Sequence, residues 1–163
     1  MDLSAVSKTL FIPLSARIFA SKNFPEYFYD EKALSLENIV QTNCETVLEK
    51  SSEYALMASA ARYYNMDDIV RKFCAKYPKC NVVYLGAGLE TACFRLKITN
   101  ASFYEVDLPE VIELRLRVLG GCENDTLVGC DMFDLAWARR IDESLPALFV
   151  ACGVFQFLRA DRS

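Results

Sequence analysis

No histidine occurs anywhere in the 163 residues of this chain. That absence excludes Ser-His-Asp and Cys-His catalysis and removes the commonest zinc ligand. Seven cysteines stand at positions 44, 74, 80, 93, 122, 130 and 152. No two of them form a Cys-x-x-Cys pair, so they offer no replacement metal site. Their odd number and the lack of a secretion signal predict reduced, mostly buried thiols. The start, Met1-Asp2-Leu3-Ser4, has no basic region followed by an apolar stretch, so no signal peptide is expected and the cytoplasm is the expected compartment. No apolar run approaches the roughly 20 residues of a membrane span. Basic charge is not in excess either: the net charge of −4 argues against nucleic acid as a partner. There is no internal repeat and no low-complexity stretch.

What is present is a globular composition, 53% hydrophobic and 25% charged, long enough for one sizeable core. The chain divides near residue 79. The first region, 1–78, reads as helical and is expected to cover a site carried by the second. Asp30 is placed to cap a helix running through Glu31-Lys32-Ala33-Leu34-Ser35-Leu36. Ser51 or Ser52 is placed to cap another through Tyr54, Leu56, Met57 and Ala61. Asn65, followed by Asp67 and Asp68, predicts a fresh start or a bend. Ile69, Val70 and Phe73 then form a buried side, and the helix stops before Pro78.

The second region, 79–163, alternates strand and helix. Val82-Val83-Tyr84-Leu85 is a continuous apolar run, as in a strand buried on both faces. Gly86-Ala87-Gly88 ends it, and a helix follows from about Thr91 to Leu96. A second strand covers 101–106 and ends at Asp107. Pro109 at a first helical position and Gly120-Gly121 bound the next helix, on which Glu113 and Arg117 are spaced to pair. A third strand covers 126–130, a helix covers Leu135 to Ile141, and a fourth strand covers 148–152, followed by Gly153. Short connections between such elements mean right-handed parallel crossovers. The predicted fold is α/β and Rossmann-like, a mainly parallel sheet in the order 3-2-1-4.

Ligands of such sheets bind beyond the carboxyl ends of the strands, at the switch point. Gly86-Ala87-Gly88, Asp107, Asp131 and Cys152-Gly153 all fall there. Glycine serves a tight turn and close backbone approach to a ligand; the alternative is an ordinary loop. The third glycine of the dinucleotide fingerprint would fall on Thr91, which counts against a nicotinamide oxidoreductase. Asp107 follows the glycines at about the 20-residue spacing of a ribose-binding carboxylate; its other role would be to cap the helix at Pro109. Asp131 either takes an adenine amino group, with Met132 or Phe133 packing on the ring, or serves a turn. Arg62 lies among Ala58, Ala60 and Ala61 and needs a buried anion: a ligand carboxylate, Glu53, Asp67 or Asp68. Tyr27, Phe28, Tyr29, Tyr63 and Tyr64 read as core or lid packing. Trp137 is expected against the sheet, and Arg139-Arg140 reads as a solvated helix end.

These segments resemble a known family. Asn81-Val82-Val83-Tyr84-Leu85-Gly86-Ala87-Gly88-Leu89-Glu90-Thr91 is similar to the first motif of the leucine carboxyl methyltransferase family, with Glu90 where an aspartate is usual. That family includes bacterial O-methyltransferases of polyketide-synthesis type. Tyr104-Glu105-Val106-Asp107-Leu108-Pro109-Glu110-Val111-Ile112 resembles its second motif, the most specific match. Asp131 with Trp137, and Ala151-Cys152-Gly153-Val154, resemble later motifs. Lys8-Thr9-Leu10-Phe11-Ile12-Pro13-Leu14-Ser15-Ala16-Arg17 resembles the opening of bacterial members.

The resemblance implies a methyltransferase that uses S-adenosylmethionine and transfers a methyl group to an oxygen of a small-molecule or carboxylate acceptor, with no metal. It places Arg62 at the carboxylate of the methionine moiety, Gly86, Ala87 and Gly88 along that moiety, and Asp107 with Leu108 at the ribose. Asp131 and Met132 would bracket the adenine, and Cys152 stands where the family has a glutamate. No catalytic residue is assigned. Members of the family are longer than this chain, so the sheet is expected to be truncated after its fourth strand, with self-association through that exposed edge. A remnant or interaction protein that keeps the fold without turnover is the alternative.

Overall fold

The structure, a computed structural model, describes residues 10–40 and 52–154. Ser51, the positions 8–9 of the opening motif, Cys44 and the segment 157–163 lie outside the described residues. Helices come first and a parallel sheet follows. Helix α1 (Phe11–Asn23) packs against the long helix α3 (Glu53–Lys76), with the short α2 (Glu31–Leu34) between them in sequence. Asp30 caps α2 by accepting the Ala33 amide at 2.9 Å. Ser52 caps α3 through the Ala55 amide at 3.2 Å. Each such cap contributes about 1 kcal/mol.

Three expectations for the helices need correction. Asn65 neither starts nor bends a helix, because α3 runs unbroken from Glu53 to Lys76. The Asn65 side chain donates to the Ala61 carbonyl at 2.9 Å, so the helix accommodates it without interruption. Ile69 is 48% exposed and does not share the buried face of Val70. The helix expected onward from Asp30 is interrupted by a turn at Ser35 and Leu36, and residues 37–40 are helical again.

The sheet consists of β1 (Cys80–Leu85), β2 (Ala101–Asp107), β3 (Asp125–Gly129) and β4 (Ala147–Val150), in the order β3-β2-β1-β4. All pairings are parallel. Helix α4 (Ala92–Leu96) joins β1 to β2, α5 (Pro109–Leu119) joins β2 to β3, and a 3-10 helix (Leu135–Arg140) precedes β4. Gly120 ends α5 at φ 73°, with its amide donating to the Leu116 carbonyl, and Glu113 pairs with Arg117 at 3.1 Å. The fourth strand ends earlier than expected, at Val150, leaving Ala151 and Cys152 in the loop beyond it. The third strand ends at Gly129, one residue before Cys130.

Side chains alternate across the sheet. Val82, Tyr84 and Phe103 face Val70 and Cys74 of α3 and Ala92, Cys93 and Leu96 of α4. Val83, Tyr104, Val106 and Val128 face the opposite way, onto Trp137. Both faces are therefore covered, which explains why these strands read as continuous apolar runs. Trp137 packs as expected and donates its indole N–H to the Met132 carbonyl at 2.8 Å; Arg139 and Arg140 are exposed.

The aromatic expectation holds only in part. Phe28 and Tyr63 are buried and paired at 6.4 Å, whereas Tyr27, Tyr29 and Tyr64 are exposed. The cysteine expectation is corrected as well: Cys93 of α4 and Cys122 after α5 form a disulfide. Cys74 and Cys80 are buried thiols, and Cys130 and Cys152 are half-buried ones.

Candidate functional site

A cavity of about 770 Å³ opens at the carboxyl ends of the strands. Gly86, Ala87, Gly88, Asp107, Leu108, Asp131, Met132 and Cys152 all line it. Arg62 stands just behind this wall, with Nη1 3.7 Å from the point where a Cβ on Gly153 would sit. The topology brings these positions together because β1, β2, β3 and β4 are parallel and end side by side.

The turn after β1 is fastened to the neighbouring strand. The Gly86 and Ala87 amides both donate to the Val106 carbonyl, at 2.8 and 3.2 Å. Gly86 and Gly88 have φ values of 66° and 50°, in the left-handed region that favours glycine. Their missing side chains leave room for protein as well as for ligand. A Cβ on Gly86 would collide with Val154, and one on Gly88 would come within 3.2 Å of Leu10. The tight turn expected of these glycines is present, and the space they leave is shared with Val154 and Leu10.

Asp107 receives two backbone amides, Gly88 on Oδ2 at 2.7 Å and Leu108 on Oδ1 at 2.8 Å. It does not cap α5, whose N-cap is Leu108 without a side-chain bond. Burial raises the Asp107 pKa, and the two amides oppose that rise. Each carboxylate oxygen still has a second lone-pair direction, on a residue that lines the cavity. Across the mouth, Asp131 accepts the Phe133 amide at 3.0 Å, so it does serve a turn. Met132 lies half-buried next to Trp137.

None of the expected acids pairs with Arg62. Asp67 binds Arg95 through two contacts of 2.7 Å, Asp68 binds Lys72, and Glu53 is exposed at the start of α3. Arg62 makes one long bond to Ser59 at 3.4 Å, and its Nε is buried with no hydrogen-bond partner among the described residues. A half-buried guanidinium with its Nε left this way favours an anion. Cys152 does not supply it, because burial raises its thiol pKa despite Arg62 nearby and keeps it neutral at pH 7.

Beneath the turn lies a buried charge network that none of the sequence motifs marks. Arg17, fully buried in α1, binds the Thr91 hydroxyl, the Leu89 carbonyl at 2.6 Å and Asp30 at 3.4 Å. Arg95 adds Glu90 at 3.1 Å and Asp30 at 2.9 Å. Burial opposes ionisation of Glu90, but Arg95, Arg17 and Arg115 outweigh it and hold its pKa below the ordinary carboxylate value. Thr91, where a dinucleotide fingerprint would have glycine, is fully buried inside this network. The criterion applied to Arg62, an arginine among apolar residues, would also have found Arg17 between Ala16 and Ile18 and Arg115 between Leu114 and Leu116.

The leucine carboxyl methyltransferase family model matches residues 7–163. The tetracenomycin polyketide synthesis O-methyltransferase TcmP of Streptomyces glaucescens is 26% identical over 158 residues. That similarity covers 96% of this chain and 58% of the relative, so the chain spans little more than half the length of the protein it matches.

Proposed function

The chain belongs to the leucine carboxyl methyltransferase family, and from that premise we propose that it binds S-adenosylmethionine in the cavity at the strand ends and transfers its methyl group to an oxygen of a small-molecule or carboxylate acceptor. The observation that carries this reading is the convergence of Asp107, the Gly86–Gly88 turn and Asp131 on one cavity, with the Arg62 guanidinium behind it, its Nε without a partner among the described residues.

In this reading Arg62 holds the carboxylate of the methionine moiety. The backbone of Gly86, Ala87 and Gly88 runs along that moiety. Asp107 accepts the ribose hydroxyls while it keeps the Gly88 amide, and Leu108 packs beside it. Asp131 and Met132 bracket the adenine, and Cys152 borders the methionine end. The residues fit a zwitterionic nucleoside: a guanidinium whose Nε has no partner among the described residues, carboxylates at the strand ends and apolar walls from Leu85, Leu89 and Met132. S-adenosylmethionine supplies an activated methyl group on a sulfonium, so the protein's task is to align the acceptor and exclude water. The N-terminal helices, which place Leu10, Pro13 and Tyr63 on the cavity wall, act as its cover.

Incubation of the chain with methyl-labelled S-adenosylmethionine and a panel of small carboxylic acids and phenols tests the activity. Label on an acceptor oxygen supports the transferase. A second reading, a protein that binds the cofactor without turnover, is favoured by the neutral Cys152 thiol where the resemblance expects a glutamate; binding without label transfer would support it. The β4 edge, paired only with β1 among the described residues and carrying an exposed Phe149, supports self-association through that strand, measurable by sedimentation.

A further inference from the structure

Three successive carbonyls of the glycine turn receive arginine donors. Arg115 Nη1 donates to the Gly88 carbonyl at 3.2 Å and to the Glu90 carbonyl at 2.6 Å. Arg17 Nη2 donates to the Leu89 carbonyl between them at 2.6 Å. Arg115 projects from α5, on the far side of β2 in sequence, and is 1% exposed. Its Nη2 lies 2.9 Å from Glu105 Oε1 and 3.8 Å from Asp125 Oδ2. Glu105 sits on β2 two residues before Asp107, and Asp125 opens β3. One guanidinium thus spans two strands and the turn, and its rigid fork is suited to several acceptors at once.

We propose that Arg115 is the positioning residue of the glycine turn: with its Nη2 lodged beside Glu105 and Asp125, it fixes the Gly88 and Glu90 carbonyls and so sets the backbone that meets the methionine end of S-adenosylmethionine. The inference rests on the cofactor reading given above. Its logic is that of the trans peptide. In each unit the N–H points opposite to the preceding C=O. Fastening the Gly88 carbonyl to Arg115 therefore aims the Leu89 amide the other way. Fastening the Glu90 carbonyl does the same for Thr91, whose amide reaches Glu90 Oε1 at 2.8 Å. The Gly88 amide is already held by Asp107. The amides of Gly86, Ala87 and Gly88 are thus held by β2, and the arginines hold the carbonyls of Gly88, Leu89 and Glu90 that follow.

Amide exchange by NMR, together with titration of S-adenosylhomocysteine, tests this. Arg115→Lys keeps a positive charge but lacks the fork. The expected result is at least tenfold faster exchange of the Gly88 amide in the ligand-free chain, unchanged exchange at Val70 of α3, and about tenfold weaker binding of S-adenosylhomocysteine. If that variant does not fold, the double variant Glu105→Met with Arg115→Met decides, because removing Glu105 together with Arg115 avoids orphaning the nearer buried carboxylate; the same faster Gly88 exchange is expected. Wild-type exchange at Gly88 in whichever variant folds overturns the inference. So does failure of the double variant to fold, since Arg115 would then serve the core. A wild-type chain that ignores S-adenosylhomocysteine would count against the cofactor reading, while the exchange data would still judge Arg115.

Discussion

The Gly88 amide and the Asp107 carboxylate meet at 2.7 Å, tying the turn after the first strand to the end of the second. This bond presets the position of a carboxylate that would otherwise choose among several rotamers. Asp107→Ala removes both the tie and an acceptor for ribose hydroxyls. S-adenosylhomocysteine affinity should fall by at least about 1.5 kcal/mol, the value of a charged hydrogen bond. Isothermal titration of the variant checks this, and unchanged affinity would refute the ribose assignment.

Arg62 offers a cleaner separation of the ligand's two ends. Its Nε has no hydrogen-bond partner, and it pairs with no carboxylate, among the described residues, so Arg62→Met should not orphan one of those carboxylates. Binding of S-adenosylhomocysteine should weaken by about 1.5–3 kcal/mol, while adenosine, which lacks the amino-acid end, should bind the variant as it binds the wild type. Equal losses for both ligands would place Arg62 elsewhere.

Glu105 should give the stability curve a recognisable slope. Burial pushes its carboxyl up to about 8 from an ordinary 4.5, with Arg115 opposing the rise and Asp125 and Glu90 adding to it. The folded state therefore retains a proton that the unfolded chain gives up. This contribution is fully present below pH 4.5 and is lost as pH rises through about 8, and it amounts to a few kcal/mol on the order-of-magnitude scale of such shifts. Urea unfolding between those limits should show wild-type stability declining relative to Glu105→Gln as the pH is raised. Parallel profiles would contradict the burial argument.

The Cys93–Cys122 disulfide closes a loop with a sequence separation of 29. Chain-entropy reasoning gives about 3.5 kcal/mol for a loop of that length. Reductant should therefore lower the melting temperature of the wild type and leave the doubly substituted Cys93→Ser, Cys122→Ser protein unmoved. Identical shifts in both would show that the bond does not contribute.

The strand order could be read from sequence because the first three strands are largely apolar runs that stop at glycine or aspartate, and parallel crossovers leave few topologies. The cavity wall was legible for the same reason, since residues ending parallel strands must be neighbours. What could not be read was anything decided between distant segments. Arg17, Thr91 and Asp30 meet although 74 and 61 residues separate the pairs. Cys93 and Cys122 carry no spacing pattern that marks them as partners. Asn65 looked like an interruption because a short polar side chain competes with the helix backbone; here it bonds back to Ala61 instead.

The most direct test of the nucleoside site is calorimetric titration of the chain with S-adenosylmethionine, S-adenosylhomocysteine and NAD. Saturable heat with the first two and none with NAD is the predicted result. A folded protein that gives no heat with either S-adenosyl compound, or that binds NAD instead, would contradict it.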